Sequence, residues 1–134
     1  MKKTVFLCGP MKGIKRKNGL NWRNKATELL SSNFIVKHAY RGREEKETFL
    51  DSRSAVARDK YDVLKSDILI VNDTFEDVSM IGTSMEVLLA FENHIPIILF
   101  GRAHDQDYFL NYHSHARCYS LQEACKLANR MFSD

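Results

Sequence analysis

The residue that raises the clearest chemical question is Glu86. It is the only charge in an otherwise apolar helical run, Met85, Val87, Leu88, Leu89, Ala90 and Phe91. A carboxylate among such neighbours costs free energy unless something compensates it. Gly82-Thr83-Ser84 opens the run, and the free N–H groups of a helix N-terminus favour an anion. Thr83 or Ser84 is expected to cap the helix by accepting a bond from one of those groups. Pattern alone leaves two readings open for Glu86: a solvated first-turn glutamate, or a carboxylate held in a site.

A second stretch with chemical content is Gly9-Pro10-Met11-Lys12-Gly13, at the end of the apolar run Thr4–Cys8. Two glycines and a proline at a strand's end make a turn where backbone can approach a ligand closely. The spacing is neither G-x-G-x-x-G nor a Walker A loop, so the dinucleotide and P-loop readings lose their main support. What remains is a general phosphate signal of exposed N–H groups with Lys12 and Arg16. The five histidines form no H-E-x-x-H or Cys/His spacing, so no metal site is expected, and nothing calls for a cofactor. His113-Ser114-His115 reads as a solvated loop. Tyr108, Phe109 and Tyr112 either cover a ligand or fold their loop onto the core.

These residues need elements to position them. Ile68–Val71 and Ile95–Phe100 are apolar throughout, the pattern of strands buried on both faces. Between them lie a polar loop and the helical run from Gly82, so Asp67–Phe100 reads as a βαβ unit. In such units the loop at the strand's carboxyl end is where ligands bind. Asn18–Leu30 reads as a helix with Trp22, Ala26, Leu29 and Leu30 along one face. Asn33–Val36 is a second short strand. Ser54–Lys65 is a helix packed through Val56, Tyr61 and Leu64. Residues 38–54 read as a solvated segment, a surface insertion or a lid over a site. After the long polar loop Gly101–His115, Ala116–Tyr119 is a fifth strand and Ser120–Phe132 a closing helix. Ser120 and Glu123 form a capping box there.

Alternating strands and helices call for a parallel sheet covered on both faces. Right-handed crossovers leave few topologies, and the expected one is a single-domain, flavodoxin-like α/β fold over residues 1–134, with strand order 2-1-3-4-5. That order makes the first and third strands neighbours, so the turns at residues 9–13 and 82–86 open side by side.

Composition bounds the class. The chain is 44% hydrophobic and 28% charged with a net charge of +3, as in an ordinary soluble protein, and too mildly basic to argue for nucleic acid. The Lys and Arg residues from Lys2 to Lys25 all precede Glu28, the first acidic residue. A basic N-terminal quarter suits a phosphate-bearing partner or a solvated face. Cys8, Cys118 and Cys125 are odd in number and lack C-x-x-C spacing, which reads as reduced thiols in a cytoplasmic protein. No stretch reaches the length of a membrane span, and the run after Lys2-Lys3 is too short for a secretory signal.

The ordered set Val5–Gly13, Arg58-Asp59, Ser66–Asn72 and Gly82–Glu86 resembles the nucleoside 2-deoxyribosyltransferases and the related nucleotide N-glycoside hydrolases. The resemblance spans residues 4–100. The resemblance implies that Glu86 is a nucleophile attacking the anomeric carbon of the sugar, with water or a second base resolving the ester. Asp59 is then the residue that handles the proton of the leaving base or orients Glu86. Without the resemblance, Asp59 reads as an exposed helix residue beside a basic neighbour. The sequence departs from the family pattern at Phe6, where members often carry Tyr, and at Met80, where many carry Ser or Asp. Ser79 and Asp77 are the nearby candidates for sugar or phosphate contact, with Gly9, Pro10, Met11, Lys12, Gly13, Gly82 and Thr83 completing the substrate-binding set.

The implied substrate is a 2-deoxyribonucleoside or its 5′-monophosphate. The implied assembly is a homodimer or larger, which the nearly all-round apolar Met85–Phe91 independently suggests. Two competing functions are a nucleotide-binding sensor without turnover and a TIR-like nicotinamide-nucleotide glycohydrolase.

Overall fold

A computed structural model of the chain describes residues 2–40 and 52–133. The strands are β1 (Lys3–Cys8), β2 (Phe34–His38), β3 (Ile68–Asn72), β4 (Ile97–Phe100) and β5 (Ala116–Cys118). The helices are α1 (Arg16–Leu30), α2 (Ser52–Leu64), α3 (Ile81–Glu92), α4 (Tyr108–Tyr112) and α5 (Leu121–Met131). All strand pairs are parallel and the order is β2-β1-β3-β4-β5, the topology expected from the alternation of elements. The segment expected to be a lid or insertion falls mainly on residues 41–51, which lie outside the described residues. Among the described residues no helix is long and apolar enough to cross a membrane.

The sheet sorts its side chains by parity, because successive residues of a strand point to opposite faces. Val5, Leu7, Ile68, Ile70, Ile98 and Phe100 meet Trp22, Ala26 and Leu30 of α1 and Ala124, Cys125 and Ala128 of α5. Phe6, Cys8, Leu69, Val71, Ile97 and Leu99 face the other way, against Val63 of α2, Val87 and Ala90 of α3, and Leu110 of α4. This parity turns Cys8, the last residue of β1, toward α3. The capping box on α5 forms: Ser120 accepts from the Glu123 N–H at 3.1 Å, and Glu123 accepts from the Tyr119 N–H at 3.1 Å.

Several local expectations are corrected. On α2 the buried residues are Asp62 and Val63, while Val56, Tyr61 and Leu64 are exposed. Val63 is the residue whose register meets the sheet, so Leu64 beside it is turned away. The helix α3 starts at Ile81, with Met80 at the cap and no side-chain cap from Thr83 or Ser84. Both sit inside the first turn, and the Ser84 N–H bonds instead to the Met80 carbonyl at 2.7 Å. The stretch after β4 contains α4, whose N-cap Asp107 accepts from the Leu110 N–H at 2.8 Å. Leu110 anchors this helix, and Tyr108, Phe109 and Tyr112 are exposed, so the aromatics do not fold the loop onto the core.

The carboxyl ends of β3, β4 and β5 are tied by Asp73, which is fully buried. Its side chain accepts from Arg117 Nη1 at 2.7 Å and from the His104 N–H at 3.0 Å, and meets His104 Nδ1 at 2.6 Å. Arg117 also donates to the Gly101 carbonyl at 2.8 Å. Gly101 has φ +96, and a Cβ there would stand 2.5 Å from the Asp73 carbonyl, so only glycine fits this closure. Asp73→Ala removes the anion and leaves a half-buried guanidinium without its partner. The expected loss is on the order of 3–5 kcal/mol in urea denaturation. A loss below about 1 kcal/mol, the range of exposed pairs, would show that the tie is no stronger than a surface ion pair.

Candidate active site

At the carboxyl edge of the sheet, where β1 and β3 lie side by side and the chain departs in opposite directions, is a cavity of about 720 Å³. This is the switch point of an open parallel sheet. The volume lies in the range of small-molecule sites. Three walls converge on it. The end of β1 and its turn supply Cys8, Gly9, Pro10, Met11 and Lys12. The helix α2 supplies Val56, Asp59 and Lys60. The start of α3 supplies Gly82, Thr83 and Glu86, with Ser79 just before it.

Of the residues singled out from the sequence, Glu86, Asp59, Gly9, Pro10, Met11, Lys12, Ser79, Gly82 and Thr83 border one cavity. Gly13 and Asp77 are not among its lining residues; both are exposed and carry positive φ, +83 and +56. They shape the loops beside the cavity instead of its wall. Tyr108, Phe109 and Tyr112 do not border it either.

Glu86 is mostly buried, and its pKa is raised to about 7. Burial among apolar side chains is the largest cause, since it penalises the charged form. The charge of Asp59 adds to the rise, while a hydrogen bond from Cys8 and the charge of Arg23 oppose it. Cys8 Sγ donates to Glu86 Oε1 at 3.2 Å, with the Thr83 carbonyl a longer second acceptor at 3.9 Å. Burial, followed by the charge of Glu86, pushes the Cys8 thiol well above its ordinary value. The thiol therefore keeps its proton and acts as a donor.

Arg23 is the largest fully buried side chain of the described residues. It lies between two rings, 4.4 Å from the centroid of Trp22 and 5.0 Å from that of Tyr40. Its Nη1 donates to the Gly19 carbonyl at 2.8 Å and its Nη2 to the Gly9 carbonyl at 3.0 Å. Burial lowers its pKa, against the pull of Tyr40, Cys8, Glu86 and Asp59. It thus fastens the turn after β1 and brings a positive charge near the two carboxylates. Gly9 is needed at that turn, because a Cβ would stand 2.9 Å from the Trp22 ring.

Cys8 and Arg23 are the two site residues that the sequence reading did not single out. Both had a signal. Buried positions 19, 22, 23, 26 and 30 of α1 follow helical spacing, which sets Arg23 beside Trp22 on the apolar stripe. Cys8 shares the parity of Phe6 on a strand expected to lie next to β3.

Compared by sequence, the chain matches no protein-family model and no curated protein. Its fold is found in solved structures. A conserved protein from Enterococcus faecalis V583 superposes with a TM-score of 0.72 at 14% identity, over 96% of this chain and 99% of that one. The 2-deoxyribosyltransferase of the psychrotolerant bacterium Bacillus psychrosaccharolyticus gives 0.69 at 16% identity, over 90% and 88%. The CMP N-glycosidase BcmB of Clostridium botulinum gives 0.66 at 16% identity, over 97% and 100%. The fold is therefore one that deoxyribosyl-transferring and nucleotide N-glycoside-cleaving enzymes use, the two kinds that the sequence resembles.

The raised pKa of Glu86 sets a sign for stability. Folded Glu86 holds its proton up to about pH 7, against 4.5 for a free side chain. Between those values the folded state binds more protons than the unfolded state, so stability falls as pH rises. The favourable contribution is complete below about pH 4.5 and is lost by passage through pH 7. Glu86→Gln cannot ionise, and it is expected to retain on the order of 3 kcal/mol that the wild type loses between pH 4 and 8. Urea denaturation at the two pH values reads the difference. Parallel pH dependences in both proteins would mean that the carboxyl is as well solvated as a free one.

Proposed function

We propose that the protein cleaves or transfers the N-glycosidic bond of a 2-deoxyribonucleoside or its 5′-monophosphate, through a glycosyl ester on Glu86. One observation carries this reading: a carboxyl whose pKa lies near neutrality sits with a second carboxyl, Asp59, on the wall of a cavity in the small-molecule range. The charge of Asp59 acts on Glu86, so the two groups are coupled, and one ionised with one protonated carboxyl makes a nucleophile and an acid.

In the first step a Glu86 oxygen forms a bond to C1′ while the N-glycosidic bond breaks. Its electron pair leaves with the base, which takes a proton from Asp59, protonated in the minor form of the pair that carries the charge on Glu86. The ester left on Glu86 is then attacked at C1′ by water, whose proton passes to Asp59, releasing the free sugar and restoring the Glu86 carboxylate. A nitrogen of a second base can enter in place of water and likewise gives its proton to Asp59. This is the two-step logic of retaining glycoside hydrolysis. Lys12, together with the first-turn N–H groups of α3 at Gly82 and Thr83, supports a 5′-phosphate as the anionic end of the substrate.

The test is incubation with a panel of deoxynucleosides and their monophosphates, with and without a free base. Free base and sugar alone identify a hydrolase, and a new nucleoside identifies a transferase. Tight binding without any turnover overturns the proposal in favour of a sensor. Glu86→Ala is expected to abolish turnover with the fold intact; full activity in that variant would rule out the ester. Activity is expected to rise with pH through about 7, as Glu86 ionises to the attacking form, and Asp59→Asn is expected to be slowest on poor leaving groups.

The same reading includes a second copy of the chain. Ile81 and Met85 of α3 are 67% and 66% exposed, and Leu88 continues the strip beside Val56 and Leu64 of α2. One sheet face cannot cover α3, and an apolar strip of this kind on a monomer is an association surface. At micromolar concentration, sedimentation is expected to give a dimer or larger, and Met85→Glu to shift it toward monomer. A wild-type monomer would remove this part of the proposal.

A further inference from the structure

We infer that Cys8 is a positioning residue for Glu86: its thiol holds Oε1 of the carboxylate and leaves Oε2 as the oxygen presented to the sugar. The inference rests on the nucleophilic role proposed for Glu86. It adds the group that selects the attacking oxygen and stabilises charge on Glu86 instead of on Asp59.

The geometry comes first. Cys8 Sγ lies 3.2 Å from Oε1, within the range for a thiol donor. The donor is rigid, because Cys8 is the last residue of β1 and is paired with Val71 of β3. The carbonyl of the next residue, Gly9, is held by Arg23 at 3.0 Å. The residue on β1 with the same parity, Phe6, carries no polar atom, so the hydrogen bond that this strand makes to Glu86 comes from Cys8. Glu86 is faced by Cys8 from β1, by Asp59 from α2 and by Arg23 from α1, while Lys12, Lys60 and Glu92 border the same cavity.

The chemistry follows from the protonation state. A thiol that loses its proton is a nucleophile and a competing anion. Cys8 is buried and stands beside a carboxylate, both of which keep it protonated. It therefore donates through the whole range in which Glu86 titrates, and does not rival it. In the singly protonated pair with Asp59, a donor aimed at Glu86 favours the form with the charge on Glu86. That is the form able to attack.

Cys8→Ala and Cys8→Ser separate this role from packing. The Glu86 carboxyl is followed by NMR in protein labelled with carboxyl carbon-13 glutamate, its signal assigned by its absence in Glu86→Gln. In Cys8→Ala the midpoint is expected to rise above the value near 7 of the wild type, while Cys8→Ser, which keeps a donor, stays at or below it. Cys8→Ala is expected to lower kcat about tenfold with KM nearly unchanged, the weaker end of a hydrogen bond to a charged group; Cys8→Ser is expected to recover most of it. An unmoved midpoint in Cys8→Ala overturns the inference, as does a Cys8→Ser variant as impaired as Cys8→Ala in both readouts. If the wild type turns over no substrate, the function proposed for Glu86 falls, and the NMR midpoint alone then decides whether the thiol holds the carboxylate.

Discussion

The structure depends on an unfavourable burial that it only partly relieves: the carboxyl of Glu86 is enclosed by apolar walls at the mouth of the sheet. Full relief would need a salt bridge, and among the described residues Glu86 makes none. Arg23 is near enough to pull on the charge, yet both terminal nitrogens of its guanidinium are committed to the carbonyls of Gly9 and Gly19. Asp59 pushes the other way. Among the described residues only the thiol of Cys8 bonds Glu86 directly. The outcome is a carboxyl near neutrality, where small changes in its surroundings decide its charge. An arginine free to bind it would give a more stable protein and a weaker nucleophile.

The fold supplies that half-measure through parity and closure. The central strands are buried on both faces, so the positions on β1 and β3 are fixed by packing on two sides. A slip of one residue would turn Phe6, Cys8, Leu69 and Val71 away from α3. Asp73 closes the strand ends farther along the edge, and its network of Arg117, His104 and the Gly101 turn is fully bonded. The contrast between Asp73 and Glu86 is informative. Asp73 receives donors from several directions and serves as a tie, whereas Glu86 receives one weak donor and faces open space.

Most of the architecture was legible because it follows from patterns with one solution. Four apolar runs, helices between them and right-handed crossovers leave little choice of sheet order. The turns at residues 9–12 and 82–86 meet because that order demands it. The errors share another cause. Val56, Tyr61 and Leu64 were read as packing residues because they are apolar, but the helix register that buries Val63 is set by the sheet, not by local sequence. Thr83 and Ser84 have the chemistry of caps, yet the helix begins two residues earlier, where Met80 offers no acceptor. Arg23 reads with the basic N-terminal quarter, toward a phosphate-bearing partner or a solvated face, since a guanidinium on an apolar stripe is legible only when spacing outweighs residue type. Cys8 reads as a reduced thiol, and burial keeps it protonated. What the sequence could not supply was its neighbour, which comes from a residue 78 positions away.

The cavity and the exposed apolar strip share residues. Met85 and Leu88 border the cavity, and both are also exposed on the outer side of α3. Val56 does the same on α2. A second copy seated on this strip, as proposed, would therefore also narrow the cavity mouth. Desolvation is already the largest cause of the raised pKa, so association would push Glu86 further in the same direction. It would make the single donor from Cys8 and the charge of Arg23 more important, because electrostatic interactions strengthen as water leaves. On the proposed reading, assembly and nucleophile are coupled through one helix, which carries both Glu86 and the exposed apolar residues beside it.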